Sequence, residues 1–119
     1  MPYVDGFVIP IPRKNMAAYR RMATQAGKIW MELGALEYRE CVGDDLKTSF
    51  GTSFPKLAKT KPSETVLFSW VVYKSKSHRD SVNAKIMKDP RIINMMKNKK
   101  SPFDPKKMAY GGFKTIVDM

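Results

Sequence analysis

The sequence predicts an α+β fold of the ferredoxin-like kind, βαββαβ, in which a four-stranded antiparallel sheet carries two helices on one face. Stretches rich in β-branched and aromatic residues fall at Tyr3 to Ile11, Ala35 to Val42, Thr65 to Tyr73 and Met108 to Val117. Between the first and second stretches, and between the third and fourth, apolar residues recur at helical spacing. The 119 residues allow one core of ordinary size, so residues 1–119 are read as a single domain.

In the first predicted strand only Asp5, Gly6 and Pro10 interrupt the β-prone run, and Pro10 and Pro12 are expected to stop its ladder. Met16, Tyr19, Ala23, Ala26, Trp30 and Leu33 then alternate spacings of three and four, which lines one face of a helix. Asn15 or the Pro12 region opens that helix, and Gly34 suits its C-terminal cap. In the second strand Leu36, Tyr38, Glu40 and Val42 share one face, with Glu37, Arg39 and Cys41 on the other.

The polar stretch up to Ser63 is long for a connection, and a short helical turn is expected at Phe54 to Ala58. Thr65 to Tyr73 is apolar on both faces and is expected to be central. Ser77, His78, Arg79 and Asp80 read as a capping box, with Asp80 reaching back to the Ser77 amide. Asp89 and Pro90 interrupt the second helix and recap it. In the last strand Gly111 and Gly112 mark a bulge or a close backbone approach.

Hydrophobic residues make up 43% and charged residues 28% of the chain, which excludes a disordered composition. A formal charge of +11 favours acidic partners in general without naming one. Cys41 and His78 are the only residues of their kinds, so neither an internal disulfide nor a zinc site is expected. Asp5 stands where an export signal needs its apolar core, so a cytoplasmic protein without a membrane span is expected.

Phe68, Trp70 and Val72 fall on the sheet face away from the predicted helices and would be exposed in a monomer. Two sheets stacked face to face bury them, so a homodimer is expected.

The segments Tyr3-Val4-Asp5-Gly6-Phe7, Glu40-Cys41-Val42-Gly43-Asp44-Asp45, Ser53-Phe54-Pro55, Phe68-Ser69-Trp70, Ser75-Lys76, Arg79-Asp80, Asp89-Pro90-Arg91, Pro102-Phe103-Asp104 and Met108 to Phe113 occur in this order along the chain. Together they resemble the YbaA-like family of uncharacterised small bacterial proteins. The resemblance implies a dimeric α+β barrel fold and carries no activity with it.

Three residues are weak candidates for acid–base work. Asp5 sits in a strand among apolar neighbours, sharing a face with Tyr3 and Phe7, and suits an aromatic-walled ligand pocket. The alternative is an edge-strand acid facing water or a salt bridge across the dimer. Glu40 with Asp44 and Asp45 has the oxygen chemistry of a hard-cation site, but the spacing is incomplete. The preferred reading has the two aspartates making a turn and Glu40 pairing with a cation. His78 has the right chemistry for an acid or base, although the start of a helix favours a solvent-facing role. Phe68, Trp70, Tyr110 and Phe113 complete the ligand-lining set, with ordinary core packing as their alternative.

Lys85, Lys88, Arg91, Lys97, Lys99, Lys100, Lys106 and Lys107 concentrate positive charge in the last third. No phosphate loop, dinucleotide glycine pattern or nucleophile elbow is present, and no cofactor is expected. The reading is a homodimer that binds, and in one version transforms without a cofactor, a small organic molecule in a pocket at the sheet face. Its alternative is a non-enzymatic module whose basic surface engages an acidic partner such as nucleic acid.

Overall fold

The computed structural model describes residues 1–97 and 100–119, so Lys99 of the basic run lies outside the described residues. In chain order the elements are β1 (Tyr3–Pro12), α1 (Met16–Glu32), β2 (Glu37–Val42), α2 (Phe54–Ala58), β3 (Glu64–Tyr73), α3 (Lys76–Lys88), α4 (Pro90–Lys97) and β4 (Ala109–Lys114). Short 3-10 turns precede α1 and β4. The sheet runs β2-β3-β1-β4 with every pair antiparallel, which is the predicted α+β, ferredoxin-like arrangement.

Alternation along β1 and β3 divides the sheet into two faces. Ile9, Ile11, Leu67, Val71 and Tyr73 point towards the helices and are almost fully buried. Tyr19 and Ala23 of α1 and Val82 and Ile86 of α3 meet them as predicted, joined by Ile29, which lies beside the predicted stripe. Val4, Phe68, Trp70, Val72 and Phe113 occupy the opposite face. Phe68 remains 45% exposed on an inner strand, which is unusual for a side chain of that size, and Phe113 on the edge strand β4 is 62% exposed.

Several boundaries depart from expectation for local reasons. Pro10 and Pro12 do not stop the ladder, because they pair with Val66 and Glu64. The Arg13 amide donates to the Ser63 carbonyl at 3.1 Å, so odd-numbered residues here face β3. The two prolines therefore lack a donor only on the side where β4 has already ended. The N-cap of α3 is Ser75, whose hydroxyl accepts from the His78 amide at 3.1 Å. Asp80, expected to complete a box from Ser77, instead lies beside Arg79.

Gly34 ends α1 at φ +122°, as a glycine C-cap should, and the Asp89 carboxylate accepts from the Arg91 amide at the start of α4. The short α2 forms at the residues expected, capped by Ser53, but it lies over the far face of the sheet, its Phe54 ring edge-on to Phe68. No bulge interrupts β4: Gly111 pairs with Gly6 and Gly112 with Asp5. Gly112 is required by close approach, since a Cβ there would lie 2.5 Å from the Tyr3 hydroxyl oxygen. Among the described residues no helix is long and apolar enough to cross a membrane.

Candidate functional site

The two strongest acidic candidates occupy separate sites on the helix side of the sheet. Asp5 lies on β1 between β3 and β4 and is only 2% exposed, so it is neither an edge residue nor solvated. Its partner is Arg79 of α3 in the same chain, with Nη1 3.1 Å from Oδ1. The same Nη1 donates to the Tyr110 hydroxyl at 3.0 Å, Nη2 donates to the Tyr3 hydroxyl at 3.4 Å, and the guanidinium lies 4.9 Å from the Tyr3 ring centre.

Asp80 Oδ1 is 2.9 Å from Arg79 Nε, yet the N–H is not aligned with it and is the one buried polar group left without a hydrogen bond among the described residues. Burial pushes the Asp5 carboxyl above its ordinary range, and the pull of Arg79, Asn83 and Tyr110 only partly offsets this. Burial also raises the Tyr110 phenol, with the Asp5 charge adding to the effect. The Nη1 and Nη2 groups of Arg79 thus reach Asp5 and Tyr3 on β1 and Tyr110 on β4, a cross-brace tying β1, β4 and α3 together.

Glu40 is held differently. It projects from β2 towards α1, where Tyr19 donates to Oε1 and Tyr38 to Oε2, both at 2.8 Å. No Lys or Arg among the described residues comes within 4.0 Å of it, so the expected cation partner is replaced by two neutral phenols. Burial and then the adjacent Glu40 charge hold both phenols far above the usual tyrosine range. They donate and do not compete for the proton.

Glu40 opens onto a cleft of about 900 Å³ between α1 and β2, walled by Met16, Ala23, Met31, Val42 and Leu67 and rimmed by Arg20 and Lys28. Behind the Tyr19–Glu40–Tyr38 bridge lies a smaller chamber of about 180 Å³ with aromatic walls that include Phe7, Trp30 and Phe103.

The predicted ligand-lining set is split by the sheet. Tyr3, Asp5, Phe7 and Tyr110 belong to the helix side, where Phe7 and Tyr110 stack with ring centres 4.9 Å apart. Phe68, Trp70 and Phe113 border a shallow cavity of about 670 Å³ on the opposite face, which Phe7 and Tyr110 reach only at its margin. Asp44 and Asp45 are exposed, and no group of three metal-ligating side chains occurs among the described residues. His78 Nδ1 accepts from the Lys74 amide at 2.9 Å while its ring lies edge-on to Tyr73, so the imidazole secures the strand-to-helix turn.

Sequence reasoning missed Arg79, Tyr19 and Tyr38 as site residues. The signals for the tyrosines were present: Tyr38 and Glu40 alternate onto one face, and Tyr19 is the one hydroxyl-bearing residue in the α1 stripe. Arg79 had none, because its partner lies 74 positions away.

Residues 2–105 match a family described only as a protein of unknown function, DUF1428. The chain is 43% identical over 118 residues to the uncharacterised protein YbaA of Escherichia coli K12, covering 99% of each, with the same figures for the Shigella flexneri protein. A crystal structure of an uncharacterised NIPSNAP domain protein from Burkholderia xenovorans superposes with a TM-score of 0.54 at 14% identity, covering 95% of this chain and 93% of that one. At that identity the likeness concerns the fold, and it is consistent with a dimeric α+β barrel.

Proposed function

The chain belongs to the DUF1428 family, and because membership brings no activity with it, we propose a function from geometry: a homodimer that binds a small organic molecule in the cleft between α1 and β2. The observation that carries the reading is the cleft of about 900 Å³ with apolar walls and one convergent carboxylate, Glu40, fixed by Tyr19 and Tyr38. Binding sites for small molecules are typically concave, mostly apolar and furnished with a few well-held polar groups.

The dimer part rests on the uncovered face. Val4, Val8, Phe68, Trp70, Val72 and Phe113 form an apolar surface floored by the paired Gly6 and Gly111. Arg39 on that face is already engaged by Glu37 at 3.3 Å, and Lys59, Lys106 and Lys107 stand at the Val8 and Ala109 end, away from Trp70. A second copy of the same face is its natural cover, and the pairing would be two-fold and self-complementary.

Native mass spectrometry of gently purified protein, compared with the denatured chain, reads both parts at once. A dimer carrying added mass is expected. Thr24→Trp, which fills the cleft from α1, should abolish the added mass, and Phe113→Asp should give a monomer. Added mass that survives Thr24→Trp would remove the cleft from the reading, and a wild-type monomer would remove the dimer.

A further inference from the structure

The cleft brings two exposed cations, Arg20 and Lys28, together with the half-buried Glu40 carboxylate, and this pairing of charges narrows the class of ligand. Arg20 and Lys28 stand at the rim, both exposed and neither in a salt bridge with a described residue. They lie eight positions apart on α1, about 12 Å along the axis. Glu32, the acid at the same rim, is already paired with Arg91 at 2.8 Å. Free charge at the mouth is therefore positive, in a chain of formal charge +11.

The inner end is the opposite. A carboxylate offers about four acceptor positions and no donor. The Tyr19 and Tyr38 hydroxyls occupy one on each Glu40 oxygen, which fixes the orientation of the group and leaves the remaining lone pairs to accept. A group arriving there must donate, and a second anion is repelled. Between the two ends the walls are apolar.

We propose that the cleft takes a hydroxyl-bearing organic acid, its acid group at the Arg20 and Lys28 rim and its O–H donated to Glu40. This deepens the cleft reading and depends on it. An aromatic or alicyclic body suits the apolar walls between the ends, and Glu40 is the specificity-determining group. A hydroxyl donated to a charged acceptor in a low-dielectric cleft is worth about tenfold in affinity or more, and a site built to receive it discriminates against the analogue lacking it.

The test uses the intact wild-type protein and three probes, para-hydroxybenzoate, benzoate and phenol, with affinities measured by ligand-observed NMR. Para-hydroxybenzoate should bind at least about tenfold more tightly than either analogue. Glu40→Gln should erase its advantage over benzoate. Arg20→Glu with Lys28→Glu should erase its advantage over phenol and leave the advantage over benzoate. Equal binding of the three probes, no binding of any at millimolar concentration, an advantage over benzoate that survives Glu40→Gln, or an advantage over phenol that survives Arg20→Glu with Lys28→Glu would overturn the proposal. The cleft itself is read separately by the loss of retained mass in Thr24→Trp, so the two readings fail by different measurements.

Discussion

Gly27→Ala offers the sharpest check on the geometry around Glu40. In an ordinary helix interior this change stabilises by about 1 kcal/mol. Here a Cβ on residue 27 would lie 2.8 Å from both Cδ1 and Cε1 of Tyr38, against ordinary carbon contacts of about 3.5–4.0 Å. Either the ring stays and the helix is overpacked, at a cost of about 1–3 kcal/mol, or the ring retreats by about 0.7 Å or more. Retreat carries the Tyr38 hydroxyl away from Glu40, lengthening a 2.8 Å bond towards the limit of hydrogen bonding. Losing a bond to a charged acceptor costs about 1.5–3 kcal/mol. The two penalties are alternatives and do not add, so after the helical gain the net loss is about 0–2 kcal/mol. For a chain of this length that is a fall in Tm of up to roughly 8 °C in place of the ordinary rise. Thermal and urea unfolding measure it, and in a Tyr38→Ala background the same change should stabilise, because the obstacle is gone. A Gly27→Ala protein more stable than wild type by the ordinary helical increment would refute the reasoning.

Asp5 predicts an unusual pH dependence. Its folded carboxyl is raised above the ordinary 3.8, chiefly by burial, so its contribution is fully present below 3.8 and is lost as pH rises through the folded value. The stability advantage of wild type over Asp5→Asn should therefore shrink between about pH 3 and pH 7, and a gap in urea midpoints that widens over that range would contradict the assignment. Arg79→Met should cost about 3–5 kcal/mol in urea unfolding, because Asp5 is left charged and unpaired under α3. At the alkaline end Tyr73, pushed up to about 12 mainly by burial, contributes stability that is present below pH 10 and lost above it, and Tyr19 and Tyr38 act in the same direction. Glu40→Gln removes the second cause of the shift in Tyr19 and Tyr38, so the phenolate absorbance should begin to rise at lower pH, and an unchanged titration would deny the contact.

The sheet was legible in the sequence because its determinants are local and repeated. Alternation in β2, the run apolar on both faces in β3 and the stripe of Met16, Tyr19, Ala23, Ala26, Trp30 and Leu33 each depend on neighbours a few positions apart. The α3 cap was misplaced by two residues because Ser75 and Ser77 are equivalent as cap formers in sequence, and only the turn out of β3 selects between them. The sites were half legible. Asp5 stood out as an acid in an apolar strand, but its partner is fixed by where α3 packs across β1 and β4, which no local pattern encodes. Phe68, Trp70 and Phe113 were grouped with Tyr3, Asp5 and Phe7 because residue type alone does not say which face of the sheet a side chain takes. Register does, and it places Phe113 opposite Val4 while Tyr110 sits opposite Phe7.

Two carboxylates on the same side of one sheet thus have different work to do, and their surroundings decide which. Asp5 is buried against a guanidinium that also donates to Tyr3 and Tyr110, so its charge is answered within the fold, and it lines none of the three cavities described above. Removing either partner leaves a buried charge alone, which is the signature of a structural brace. Glu40 is answered only by neutral donors, retains acceptor positions and faces open space. A fold gains little from holding a carboxylate in that way at the end of an apolar cleft, since an apolar residue would cover α1 more cheaply. The arrangement is accounted for when a ligand supplies the missing donor, and for that reason the functional assignment moves from Asp5, where the sequence pointed, to Glu40.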